Sequence, residues 1–148
     1  MDDRRYPKFP IPGVGGVVFG PQGVLLVKRH KEPGKGLWSV PGGGIELGET
    51  QTDAVEREVF EETGVMCKVV KFLSTYDVII LDDKTDVEFH FLLNHYLAEA
   101  LTEDIQAEVP EAEVGWFQLD ALPKDEMHIE VVDLIRNGRI VLDFENSQ

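Results

Sequence analysis

The amino-acid sequence predicts an α/β fold, with a mixed β-sheet held between helices as an α/β/α sandwich. Three observations predict it. Stretches rich in β-branched and aromatic residues alternate along the chain with two helix patterns, in the order strands, helix, strands, helix. The first helix pattern is bounded by a start signal at Thr50 and a stop signal at Gly64. No internal repeat or linker interrupts the 148 residues, of which 43% are hydrophobic, so residues 1–148 read as one domain with its own core.

Residues 1–12 are polar and carry Pro7, Pro10 and Pro12, which predicts an extended N-terminal arm whose Tyr6 or Phe9 can cover a ligand or a partner subunit. That second use allows a homodimer. Gly15 to Phe19 reads as a strand, Gly20-Pro21-Gln22-Gly23 as a turn, and Val24 to Lys28 as the returning strand. Gly13-Val14-Gly15-Gly16 begins like a dinucleotide fingerprint, but the third glycine is missing and no helix pattern follows. Arg29 to Gly36 is a mostly basic loop, and Arg29, Lys31 and Lys35 are candidate phosphate contacts. Trp38 belongs to a short strand and to the core.

Thr50 followed by Asp53 forms a capping box, so a helix opens near residue 51 and stops at Gly64. Val55, Val59 and Met66 are its expected apolar stripe. Cys67 to Phe72 and Thr75 to Leu81 read as strands, and Asp82-Asp83-Lys84-Thr85 as a hairpin turn into Val87–Tyr96, without the spacing of a calcium loop. His90 and His95 fall on opposite strand faces and read as structural. Leu101 to Pro110 is an acidic loop, and Glu113 to Leu119 is a short strand around Trp116. Met127 to Arg136 reads as a second helix stopped by Gly138, with Arg139 to Phe144 as a last strand or extended tail.

Composition narrows the function classes. A formal net charge of −14 disfavours binding along a nucleic-acid backbone, so no polymeric nucleic-acid partner is expected. An anionic substrate then needs a metal ion or local Lys and Arg to approach. No apolar run spans a bilayer, and the start, Met1 to Tyr6, lacks the apolar core of a signal peptide. A single cysteine, Cys67, rules out an internal disulfide and fits a reducing cytoplasm.

Chemistry concentrates on the first helix. Glu58, Glu61 and Glu62 lie three and four residues apart and share one face. Carboxylates crowded on one patch either take up protons or hold a cation. With only oxygen ligands on offer, the cation is Mg²⁺, Mn²⁺ or Ca²⁺ rather than zinc. A solvated acidic face is the alternative, but it needs neither the preceding Gly-rich turn nor the arginine at Arg57. The segment Gly43 to Thr50 has the outline of a phosphate-binding P-loop, yet Glu49 stands where that loop needs lysine, which excludes a P-loop NTPase on charge.

The pattern Gly43, five residues, Glu49, seven residues, then Arg57-Glu58-Val59-x-Glu61-Glu62-x-Gly64-Val65 resembles a complete Nudix box, and Leu37 to Gly42 resembles the family's lead-in. The resemblance implies a Nudix hydrolase of the α/β/α type, cleaving the diphosphate bond of a nucleoside diphosphate linked to another group with Mg²⁺ (or Mn²⁺). By position it implies Glu58, Glu61, Glu62 and the Gly42 carbonyl as metal ligands. Glu58 is the first candidate for the base, Arg57 holds the carboxylates, and Glu49 organises them from behind. The family sometimes takes its base from a later loop, here Glu108, Glu111 or Glu113, of which Glu111, stiffened by Pro110, is favoured. The subgroup marks that fix the substrate are absent: no proline lies between Pro41 and Pro110, and Tyr76 falls too early. The segments around the box are similar to ADP-ribose-like or (d)NTP-hydrolysing members. A non-catalytic nucleotide-binding module is the alternative, and it normally follows loss of box carboxylates. A diphosphate isomerase needs a catalytic cysteine with a histidine cluster, which Cys67 alone does not supply.

Overall fold

The computed structural model describes residues 3–148. The first two residues of the expected arm lie outside the described residues. The elements are β1 (Ile11–Gly20), β2 (Gly23–Lys28), β3 (Trp38–Ser39), β4 (Gly42–Gly44), α1 (Gln51–Thr63), β5 (Cys67–Leu81), β6 (Val87–Ala100), β7 (Glu113–Phe117) and α2 (Ile129–Asn146). The seven strands form one sheet with the path β3-β2-β1-β6-β5, while β4 pairs with β1 and β7 with β2. β1 and β6 run parallel, and the other pairs are antiparallel. The sheet is therefore mixed, as the sequence predicts.

Alternation along the strands divides the core in two. Val14, Val18 and Leu25 meet Ala54, Val55 and Val59 of α1. Val17, Phe19, Val24 and Leu26, facing the other way, meet Leu134, Ile135 and Leu142 of α2. Each such fully buried valine or leucine contributes about 1.5–3 kcal/mol of transfer free energy, so the two helices are held on opposite faces by apolar burial. No helix among the described residues is long and apolar enough to cross a membrane.

The caps of α1 behave as their chemistry requires. The Thr50 side chain accepts from the Asp53 N–H at 3.2 Å, and Gly64, at φ 78°, closes the helix with a bond from its N–H to the Phe60 carbonyl. Met66 is not on the apolar stripe: it lies beyond the cap and is exposed, and Val65 is buried instead. Gly138 does not stop the second helix, which runs on to Asn146 in place of the expected strand or tail. Gly138 is a contact position rather than a cap. A Cβ there would stand 3.0 Å from Val17 Cγ1, so the missing side chain lets α2 lie close to β1 and carries Leu142 into the core. The two strands expected on either side of Leu73 are one strand, β5, whose register shifts at three bulges break the alternation without ending it.

Residues 3–10 run as turns and bends against the β5–β6 hairpin. The Tyr6 N–H donates to the Glu88 carbonyl at 2.8 Å, its hydroxyl donates to Asp82 Oδ2 at 2.8 Å, and Arg5 pairs with Glu88.

His95 is 5% exposed, its ring stands edge-on to Tyr76 at 4.9 Å, and its Nδ1 has no hydrogen-bond partner among the described residues. Burial holds its pKa down at about 4 against an ordinary 6.5. The folded state thus binds fewer protons than the unfolded chain between these values. The stability His95 contributes is fully present above pH 6.5 and is lost as pH falls toward 4, with a slope on the order of 1 kcal/mol per pH unit. In chemical denaturation from pH 7 to pH 4.5, His95→Gln should lose this slope. Identical pH profiles for the two proteins would contradict a neutral buried imidazole.

Candidate active site

The site is built where α1 passes behind the glycines of β4. Antiparallel pairing sets Gly13 opposite Gly44, Val14 opposite Gly43 and Gly15 opposite Gly42. Gly42 donates its N–H to Glu62 Oε1 at 2.8 Å. A Cβ on Gly43 would fall 2.5 Å from the Glu58 carboxyl group, so glycine is required there for Glu58 to occupy its position.

Arg57 ties the surrounding carboxylates together. Its Nε and Nη2 donate to the two oxygens of Glu49 at 2.6 and 2.9 Å, a bidentate pair. Nη1 donates to Glu58 Oε1 at 2.9 Å and to Glu61 Oε2 at 3.2 Å, and Nη2 also donates to the Gly44 carbonyl at 3.0 Å. Hydrogen bonding from Arg57 holds the Glu49 pKa down at about 2. One guanidinium thereby links the turn after β4 to α1.

Glu58 and Glu62 face a cavity of about 160 Å³ whose wall includes Gly42. Burial raises the Glu58 pKa against the opposing pull of Arg57. Burial pushes Glu62 up to about 7, the Gly42 N–H lowers it, and the charges of Glu58 and Glu108 raise it further. The same lining is rich in basic residues, with Arg29, Lys31 and Lys28 as well as His30 and Arg4. A larger depression of about 530 Å³ along β5, beside Glu56, Lys68 and Phe72, contains none of the box carboxylates.

The residues singled out in the sequence separate as follows. Glu58, Glu62, Gly42, Arg29 and Lys31 line the cavity. Glu49 and Arg57 stand behind it as a bonded pair, and Glu61 bonds Arg57 from a more exposed position. Lys35 does not line it and gives its backbone N–H to Glu32. Glu111, exposed like Glu108, is not among the lining residues although the adjoining Ala112 is, and Glu113 lies 3.7 Å from Lys28. Glu108 lines the cavity in their place. The acidic loop is pinned by bonds from Gln106 N–H to the Thr63 carbonyl at 2.8 Å and from the Trp116 indole to the Glu103 carbonyl at 2.9 Å. A turn closed by Ala112 N–H on the Val109 carbonyl follows Glu108. Pro110 is the sequence signal for that turn. Sequence reasoning did not single out Arg4, Lys28 or His30.

Among the described residues, no three acidic, His or Cys side chains already surround one point as metal ligands. The donor set nevertheless fits a hard divalent cation. It is all oxygen, and its carboxylates are crowded: the charges of Glu58 and Glu108 raise the Glu62 pKa, and those of Glu61 and Glu108 raise that of Glu58.

A family model described as NUDIX domain matches residues 10–137. The chain is 33% identical over 125 residues to an ADP-ribose pyrophosphatase of Methanocaldococcus jannaschii, covering 83% of this chain and 72% of that relative. A crystal structure of a MutT NUDIX hydrolase from Burkholderia pseudomallei superposes with a TM-score of 0.73 at 29% identity, over 88% of this chain and 98% of that one. The NUDIX domain of Shewanella oneidensis NrtR, solved with ADP ribose, superposes with a TM-score of 0.73 at 26% identity, over 92% and 90%. Box, sheet and matches agree, and the chain belongs to the NUDIX domain family, that of the Nudix hydrolases, enzymes that act on pyrophosphate bonds.

Proposed function

We propose that this Nudix hydrolase is a Mg²⁺-dependent pyrophosphohydrolase (Mn²⁺ substituting) of ADP-ribose or a closely similar nucleoside diphosphate. The observation that carries the reading is the pair of part-buried carboxylates, Glu58 and Glu62, which line one small cavity together with Arg29 and Lys31. The ADP-ribose pyrophosphatase relative and the ADP-ribose-bound NUDIX domain favour this substrate over a nucleoside triphosphate. At about 160 Å³ the cavity suits the diphosphate, with the ribose and base extending beyond it.

Glu58, Glu62 and the Gly42 carbonyl would hold the cation, with Glu61 reinforcing the charge from the rim. When bound, the ion neutralises phosphate oxygens and makes water a stronger acid. Arg57 and Glu49 keep Glu58 in position, because the guanidinium bridges both. Arg29 and Lys31 meet the phosphate charge. Glu58 accepts the proton of the attacking water, and Glu108, which faces the same cavity, is the second candidate for that role in preference to Glu111.

Incubation with a panel of nucleotides and Mg²⁺, with chromatography of the products, should show AMP released from ADP-ribose and no release in excess EDTA. Full activity with the metal chelated contradicts the metal centre, and turnover of triphosphates alone contradicts the substrate. In this assay Glu108→Gln should lower kcat at least about tenfold and Glu111→Gln by less. Equal rates for both variants would remove Glu108 from the chemistry.

Two glycine substitutions probe the positioning of Glu58. Gly43→Ala drives a methyl group into the Glu58 carboxylate and should cost at least about tenfold in kcat with the fold kept, as small displacements do in active sites. Gly44→Ala meets no atom within 4 Å and should leave the rate near that of the unaltered chain. The same loss at both positions would mean that the strand, not Glu58, was disturbed.

A further inference from the structure

His95 is buried, and no step of the proposed hydrolysis uses it. Its place in the sheet nevertheless links it to the site. β6 pairs His95 with Gly15 of β1, and β1 pairs Gly15 with Gly42 of β4, so the three residues form one row across three strands. Side chains at one level of adjacent strands share a face, and in this row neither glycine has one. The imidazole takes the space. A Cβ on Gly15 would stand 2.6 Å from His95 Cδ2 and 3.1 Å from Nε2. The next nearest atom, Val40 Cγ2, would be 3.4 Å away, an ordinary contact.

The far end of the row is held as closely. A Cβ on Gly42 would meet the Val14 carbonyl and lie 2.8 Å from the Gly15 Cα, so the backbones of β4 and β1 approach with no side chain between them. The Pro41 carbonyl accepts from the Gly16 N–H at 2.9 Å, and Gly42 gives its own N–H to Glu62 at 2.8 Å. Against the imidazole stands the Tyr76 ring, edge-on at 4.9 Å, whose hydroxyl donates to the Glu130 carbonyl of α2 at 3.3 Å. The imidazole thus packs against both Tyr76 and Gly15. Its Nδ1 has no hydrogen-bond partner among the described residues, so packing rather than a bond at that atom sets the ring's place. Interiors packed to crystal density pass a displacement on to the next residue.

We infer that His95 is a positioning residue whose ring, packed on Gly15, holds the Gly42 peptide where it engages Glu62. The consequence for cation binding rests on the reading of Glu58, Glu62 and Gly42 as metal ligands, and the consequence for the Gly42 N–H does not.

Two measurements on the full-length chain, made where every variant is folded, test the inference. Hydrogen exchange at the Gly42 amide, followed by nuclear magnetic resonance without metal, reads the bond to Glu62. Mn²⁺ affinity reads the ligand set. His95→Ala should speed Gly42 exchange at least about tenfold and weaken Mn²⁺ binding at least about tenfold, the scale of losing support behind a metal ligand. His95→Leu keeps the core filled without a planar ring on Gly15, and should show the same two losses, each at least about threefold. Gly15→Ala forces a methyl group against the imidazole and should act like His95→Ala. In the double variant the methyl group enters the vacated space, so most of both losses should be recovered, a coupling that independent sites do not show. Leu142→Ala opens a cavity elsewhere in the same core and should leave both measures unchanged. Gly42 exchange unchanged in both His95 variants, equal losses in Leu142→Ala, or additive losses in the double variant overturn the inference. If Gly42 responds as expected while the unaltered chain binds no Mn²⁺, the metal reading is refuted and this one stands.

Discussion

The site depends on one guanidinium. Arg57 reaches Glu49, Glu58, Glu61 and the Gly44 carbonyl from a single position on α1. Carboxylates gathered this closely would repel one another and swing toward water. The planar fork of Arg57 offers donors in fixed directions, which orients the acidic groups as well as offsetting their charge. Its grip on Glu49 also anchors the turn between β4 and α1, and that turn follows directly on the β4 glycines against which Glu58 and Glu62 are seated. Lysine could supply the charge but not several aimed bonds at once.

Behind this network the sheet supplies rigidity. α1 is fixed by Ala54, Val55 and Val59 against β1 and is closed at both ends by local caps, so its polar face has little freedom to rotate. The acidic loop ahead of β7 is tied to the C-terminal end of the same helix through Gln106 and Thr63. Glu108 is therefore positioned by the element that carries Glu58 and Glu62, and all three carboxylates share one frame. The basic residues of the lining come from β2, the loop after it and the N-terminal arm.

What was legible in the sequence was local. Thr50, Asp53 and Gly64 announce α1 because capping is decided within a few residues, and Glu58, Glu61 and Glu62 share a face through helical geometry alone. That Arg57 holds the carboxylates came from the family resemblance; its pair with Glu61 follows helical spacing, and its pair with Glu49 reaches outside the helix. What was not legible depends on distant partners. Gly138 carries the mark of a helix stop, and only the proximity of Val17 explains why α2 continues. Met66 fits the helical stripe by spacing, but the helix ends before reaching it. Loop 101–112 holds several glutamates of equal chemical merit, and the tether at Thr63 with the turn at Pro110 selects Glu108 over Glu111 for the cavity. Arg4 sits 25 residues before Arg29, and no periodicity links them; the anchors at Asp82 and Glu88 bring it there.

The central claim is that the α1 carboxylates form a divalent-metal centre and not a solvated acidic face. Mn²⁺ binding followed by electron paramagnetic resonance addresses it without any substrate. The account predicts saturable binding to the unaltered chain, weakened at least about tenfold in Glu58→Gln and in Glu62→Gln, since each removes a charged oxygen ligand. Glu56, whose carboxylate accepts from the Val69 N–H away from the cavity, should be replaceable by Gln with no change in affinity. Equal Mn²⁺ affinity in all three variants would contradict the account.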